Sequence, residues 1–373
     1  MTRRISQNYK NVRFLVFFLF GIYVLTACAA SAPVKKVEIF WPLPPDPPRI
    51  SYVSSFSEPK DLGRTKSFFR KAVEFLFGED IEPHIIQPYG VFSDGKGIVY
   101  VTDMGLQVVH VFDFAKKSYR QVFKLENGRL RSPIGVAIDS AASGEENLYV
   151  SDSELNRIFV YDPKGKVIQE IGKEGEFQRV SGIALNPATH LLYVVDTAGH
   201  KVVVFDHKGK KSFEFGKRGN GDGEFNFPTH ISLDREGSLY VTDAMNFRIE
   251  VFDPEGKFKS KFGSLGNTLG SFSKPRGVTI DQHGHVYVVD GLYDTVQIFD
   301  GEGRLLLNFG SAGSKEGYFW LPAGIAADEQ DRIYVADTYN HRVQVFQFLE
   351  ESKAEPVPAS AGQAGPASGE KTP

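Results

Sequence analysis

Tyr287-Val288-Val289-Asp290 is followed by a short turn containing Leu292-Tyr293 and then by the alternating run Thr295-Val296-Gln297-Ile298-Phe299. The pattern Tyr-Val-x-Asp occurs six times, ending at Asp103, Asp152, Asp196, Asp243, Asp290 and Asp337, with spacings of 49, 44, 47, 47 and 47 residues. A near-constant period of this length marks one supersecondary unit repeated along the chain. Outward from the motif, each copy follows a segment such as Pro88-Tyr89-Gly90-Val91 or Pro275-Arg276-Gly277-Val278. Each precedes a run such as Lys201-Val202-Val203-Val204-Phe205 or Arg248-Ile249-Glu250-Val251-Phe252. Turns like Asp253-Pro254-Glu255-Gly256 then lead to a further strand ending in Phe-Gly, at Phe215-Gly216, Phe262-Gly263 and Phe309-Gly310.

Every unit therefore holds four short strands of period two, punctuated by Asp, Pro and Gly turn signals. A four-stranded sheet with two apolar faces is unstable alone, so the units must stack. Radial stacking that closes on itself leaves only short sheet edges exposed. The copies resemble the NHL repeat family over residues 87 to 347, and that resemblance implies an all-β, six-bladed propeller with four-stranded blades spanning 87–349. Absence of the Trp-Asp dipeptide, in a chain with two Trp, argues against a WD-type propeller.

The sixth unit ends at Arg342-Val343-Gln344-Val345-Phe346 without a fourth strand. A strand-like orphan, Arg49-Ile50-Ser51-Tyr52-Val53-Ser54-Ser55-Phe56, lies within residues 49–65 and is predicted to close the last blade. Residues 66–78 include SFFRKAVEFLF, whose apolar spacing predicts one short inserted helix ended by Gly78.

Residues 1–27 read as a lipoprotein signal peptide. Arg3, Arg4, Lys10 and Arg13 precede an apolar core from Phe14 to Leu25, and Leu25-Thr26-Ala27-Cys28 resembles the lipobox of bacterial lipoproteins. Cys28, the single cysteine, is the expected lipid anchor, and no internal disulfide can form. The resemblance implies a multiply acylated, palmitate-bearing cysteine holding the body to a membrane it does not span. Ala29 after the cysteine implies the outer membrane if the source has two membranes. Residues 28–48, with Trp41-Pro42-Leu43-Pro44-Pro45-Asp46-Pro47-Pro48, are expected to form an extended tether. Residues 350–373 have almost no large apolar side chains and are expected to be a disordered tail.

Chemistry finds little purchase. An acid repeated six times is expected to be structural, each Asp accepting backbone N–H bonds at the end of its strand. Propeller enzymes similar to gluconolactonases hold a channel Ca²⁺ with Glu, Asn and Asp. Here the matching positions are Gly90, Gly135, Gly182, His230, Gly277 and Gly324. His230 alone matches a zinc position of the amidating lyase, whereas zinc needs at least three protein ligands. No metal or cofactor other than the Cys28 lipid is expected, and His230 stands as a channel-mouth contact. Gly216-Lys217-Arg218-Gly219-Asn220-Gly221 lacks the ending of a phosphate loop. A net charge of -3 with interspersed signs argues against nucleic acid.

The turns between second and third strands carry Met104, Leu106, Leu155, Met245, Leu292, Tyr293 and Tyr339, more apolar side chains than solvated turns need. The reading is a monomeric, membrane-anchored binding platform for an envelope protein or glycan. The alternative is a metal-dependent hydrolase or lyase with its site in the channel.

Overall fold

The computed structural model describes residues 38–63, 83–140 and 146–350. Cys28, the signal segment, the stretch predicted as an inserted helix and residues 351–373 lie outside these. From Ile39 onward the described residues form six antiparallel sheets, and a two-stranded hairpin follows the first sheet of the ring. The first strands of the sheets are Pro88–Ser93, Pro133–Ser140, Val180–Leu185, Pro228–Leu233, Pro275–Ile280 and Ile325–Ala327. Each packs against the next, and the last packs against the first, so the ring is closed. The fold is a six-bladed β-propeller, with blades numbered 1 to 6 from Pro88.

Second and third strands are buried almost throughout, as in Val286–Asp290 and Thr295–Phe299, because each is flanked in its sheet and covered on both faces by neighbouring blades. Their β-branched and aromatic content suits that setting. The apolar core is divided into six clusters, each shared by two adjacent blades. Burying one Val, Leu, Ile or Phe contributes about 1.5–3 kcal/mol, so each seam is held by the side chains of both blades.

The Phe-Gly ending of the fourth strands follows from the same seams. Gly216, Gly263 and Gly310 have φ of 88°, 89° and 81°, and a Cβ on them would meet the rings of Phe225, Phe272 and Phe319 at 2.3–2.4 Å. Glycine is required by both the backbone and the close ring.

The predicted closing strand is present. Ile50–Phe56 pairs antiparallel with Arg342–Phe348, from Ile50 opposite Phe348 to Phe56 opposite Val343, with a bulge between Tyr52 and Ser54. The structure adds a fifth strand, Phe40–Trp41, beside Ile50–Ser51. The Pro-rich run expected as an extended tether thus starts from the edge of blade 6. The reason is aromatic: Trp41 lies 5.8 Å from both Phe309 and Phe346. Pro42 then ends the pairing, which blunts the sheet edge.

Removing residues 38–56 would uncover the third strand of blade 6 and the cluster containing Ile50 and Phe346. The truncated chain is expected to form soluble aggregates by size-exclusion chromatography. Phe56→Ala in the full chain should lose about 3–5 kcal/mol in chemical denaturation.

Candidate functional site: the loop face and channel mouth

The turns between second and third strands and the connections between blades lie on one end of the propeller, as antiparallel order requires. The repeated Asp joins them. Asp152 accepts Arg131 N and Ser132 N from the connection, at 2.6 and 3.1 Å, and Glu154 N and Leu155 N from the turn, at 3.1 and 3.0 Å. Asp290 repeats this with Ser273, Lys274, Leu292 and Tyr293. Asp196 takes Gln178, Arg179 and Gly199, while Asp103 takes Ile86, Gln87, Leu106 and the His110 ring. Asp243 and Asp337 accept one backbone N–H each, from Asn226 and Trp320, and fill their remaining capacity with Asn246 and Arg248, and with Asn340, Arg342 and Gln344. All six side chains are fully buried.

Their acidities diverge. Burial alone would raise Asp103, but bonds from His110, Ile86 and Leu106 outweigh it and hold its pKa low. At Asp243 and Asp337 burial wins and the pKa is raised despite their Arg partners.

Side chains from the third strands of blades 4 to 6 add a second fastening. Gln297 Oε1 accepts Gly270 N at 2.7 Å and its amide donates to Ser271 O. Gln344 treats Gly317 N and Tyr318 O in the same way. Glu250 occupies the same place in blade 4, where its carboxylate pairs with Arg248 Nη2 at 2.9 Å. Arg248 also donates to Asn220 O, Gly221 O and Glu224 O, and Arg342 to Lys315 O and Tyr318 O. The glycine-rich segment Gly216–Glu224 is thereby a pinned blade connection.

Thirteen large apolar side chains are exposed among the described residues, and nine of them lie on the loop face of blades 4 to 6. They are Phe227, Met245, Leu265, Leu269, Leu292, Tyr293, Tyr318, Trp320 and Tyr339. The other four, Leu43, Val53, Ile168 and Leu306, lie in the N-terminal segment or on outer strands. The ring of turn residues expected from sequence is therefore a sector. Met104, Leu106 and Leu155 are half-buried, and Leu155 packs on the core between blades 1 and 2. Met245, Leu292, Tyr293 and Tyr339 stay exposed, and Tyr339 meets Trp320 at 5.6 Å. The turn-based reading missed the five residues in the connections, whose signal was a large apolar side chain within a Gly- and Ser-rich stretch.

At the axis, the glycines aligned with the channel do not face it. A Cβ on Gly90 would sit 2.2 Å from Ile134 O, and one on Gly324 2.3 Å from Tyr89 O. These positions let neighbouring innermost strands touch, so side chains there could not reach a channel ion. Only His230 breaks the series. Its ring stacks on Tyr89 of the opposite blade at 5.5 Å with an interplanar angle of 14°. Nδ1 lies 3.1 Å from Thr229 Oγ1, while Nε2 is shielded and unpartnered. Burial, aided by the nearby Arg276 charge, pushes the His230 pKa down to about 3, so the ring is neutral at neutral pH. Arg276 itself donates to Leu321 O and Pro322 O. The mouth can hold a hydrogen-bonding or anionic group. It offers no paired acid and base on this geometry.

These features define a six-bladed β-propeller built from one repeated four-stranded unit. Residues 319–346 match the NHL repeat, and residues 176–249 match a family described as a 6-bladed beta-propeller. No curated protein matches the sequence significantly. Among solved structures, an auxiliary nutrient binding protein from Bacteroides thetaiotaomicron is similar at 16% identity and a TM-score of 0.55, over 72% of this chain and 70% of that one. A catalytically inactive virginiamycin B lyase from Staphylococcus aureus is similar at 15% identity and a TM-score of 0.52, over 70% of this chain and 95% of that one. At such identities the likeness establishes the fold.

The depressed His230 pKa carries a sign. An unfolded imidazole protonates near 6.5 and the folded one near 3, so between those values the unfolded chain holds more protons and stability falls as pH falls. His230→Gln should lose less stability than the wild type between about pH 6.5 and about pH 4 in denaturant titrations. Parallel profiles would show that the ring is hydrated and not desolvated.

Proposed function

We propose that this protein is a membrane-anchored binding platform, held by a lipid on Cys28 and presenting the loop face of blades 4 to 6 to a protein partner in the bacterial envelope. The observation that carries the reading is the gathering of nine exposed apolar side chains on one face and one half of the ring. Scattered surface hydrophobes need no explanation, but aromatic and aliphatic side chains gathered in one sector among polar groups are the composition of interface cores. The rim includes Lys217, Arg218, Asp222 and Lys274, with both charge signs present. A protein fits this mixture better than a glycan, because Leu265, Leu269, Leu292 and Met245 offer no hydrogen bonds to sugar hydroxyls. The channel supplies a narrow mouth around Tyr89 and His230 rather than a ligand set for a hydrolytic metal, so the enzymatic alternative has less support.

The test is capture from the native envelope with Leu292→Ser/Tyr293→Ser beside the wild type, and Ile168→Ser/Leu306→Ser as a control on outer strands. One partner should be retained by the wild type and control and lost by at least about tenfold in the turn variant, as removal of central apolar contacts does. Equal retention by both variants would remove the face from consideration, and a captured polysaccharide would replace the protein reading.

The anchor is tested separately. Cys28→Ser should abolish incorporation of labelled palmitate and move the protein from the membrane fraction to the soluble fraction. Persistence in the membrane would show that another segment does the anchoring.

A further inference from the structure

The end of the propeller opposite the loop face carries the turns between first and second strands. There, blade 5 contributes His283 and blade 6 contributes Asp331, and the chain leaves blade 6 past Glu350. His283 Nε2 lies 3.4 Å from Asp331 Oδ1 and 3.8 Å from Glu350 Oε1, and one ligand atom from each of the three lies within 4.8 Å of the others. We propose that His283, Asp331 and Glu350 form a binding site for a divalent transition-metal ion of the Zn²⁺ class.

Geometry supports it first. Metal–nitrogen and metal–oxygen bonds of about 2.0–2.2 Å in a tetrahedron place neighbouring ligand atoms about 3.3–3.6 Å apart. The His283–Asp331 and His283–Glu350 separations need only a few tenths of an ångström of adjustment, and the two carboxylates, within 4.8 Å of each other, are brought onto the ion by rotation of the partly exposed Glu350 side chain. One imidazole with two carboxylates is a borderline donor set that suits Zn²⁺ better than Mg²⁺ or Ca²⁺, which favour oxygen ligands alone. Three protein ligands leave a fourth position for water or a partner group.

The ligands are also held in place by their own turns. Asp281 Oδ1 accepts His283 N at 2.8 Å and His285 N at 2.9 Å, which fixes the blade 5 turn. The His283 ring stands 5.3 Å from that of Phe348. Asp331 adopts φ of 59°, its N–H bonds Asp328 O, and its own carbonyl accepts Phe348 N at 2.9 Å. Asp331 Oδ1 is shielded from solvent and has no hydrogen-bond donor. A carboxylate oxygen in that state is costly unless a cation meets it.

The consequence is mechanical. Leu349 N donates to Arg49 O at 2.8 Å, so Glu350 follows directly on the seam where the chain's two ends meet. A metal bound there ties blade 5 to blade 6 and fixes the point from which residues 351–373 depart.

The experiment titrates Zn²⁺ into the untagged full-length chain after chelator treatment, by calorimetry and by thermal melting, with Co²⁺ absorption as a second probe. The wild type should bind one Zn²⁺ per chain, gain melting temperature on binding and show visible Co²⁺ bands. His283→Ala and Asp331→Asn should each weaken Zn²⁺ at least about tenfold and lose the bands. Asn tolerates the left-handed backbone at this position, so the second variant keeps the turn intact if the first disturbs it. Unchanged Zn²⁺ affinity in both variants, or no uptake by the wild type, overturns the proposal.

Discussion

The buried carboxylate that closes each second strand is the interaction on which the loop face depends. A blade connection crosses from the rim to the axis and back into a strand, and its backbone N–H groups have no sheet partner where it turns inward. An Asp reaching from the second strand takes those groups and, in blades 1, 2, 3 and 5, also takes N–H groups of its own following turn. One side chain therefore reaches a connection 16 to 21 residues earlier in the same blade and, in those four blades, its own turn as well. The carboxylate is repeated because the geometric problem is repeated, and a residue needed six times for structure is not free to be a catalytic acid.

Ring closure imposes the second constraint. Five glycines let the innermost strands approach until backbone meets backbone, and hydroxyls stitch them together. Thr102 donates to Ile134 O, Ser151 to Ser181 O, Thr242 to Arg276 O and Thr338 to Pro88 O, each reaching into the following blade. Thr338 to Pro88 spans the seam between the last blade and the first, at the axis. The same seam is sealed at the rim by Ile50–Phe56, so the closure is made at both radii.

Much of this was legible in the residues. The spacing of Tyr-Val-x-Asp gave six blades, and the missing fourth strand after Phe346 made Ile50–Phe56 the natural completion, because an open edge has a calculable cost in unpaired backbone groups. The place of Trp41 was not legible, because the prolines around it describe backbone conformation, whereas its position is decided by Phe309 and Phe346, more than 250 residues away. Distance in sequence also explains the turns. Leu155 and Tyr293 occupy similar positions in their repeats, yet only the structure shows that Leu155 has a core to enter and Tyr293 does not. His283, Asp331 and Glu350 carry no spacing signal, since the three come together only through adjacency of blades 5 and 6 and the end of the last strand.

The apolar sector and the second fastening coincide, and the coincidence has a physical meaning. The connections bearing Phe227, Leu265, Leu269, Tyr318 and Trp320 are the ones reached from the third strands by Arg248, which pairs with Glu250, and by Gln297 and Gln344. Blades 1 to 3 have His110, Phe159 and Val203 at that place, and the described residues of their connections include none of the exposed large hydrophobes. Glu250 is costly there: burial raises its pKa to about 7, with Arg248 as the opposing influence. A loop that must only join two blades has no need of such reinforcement, because the seam core and the Asp already hold it. A loop that must present apolar groups to a partner does need it, since every side chain and backbone segment ordered beforehand removes an entropy cost of association. The sector is thus exposed on connections that are also held by side chains of the following blade, which accords with the docking role proposed for it.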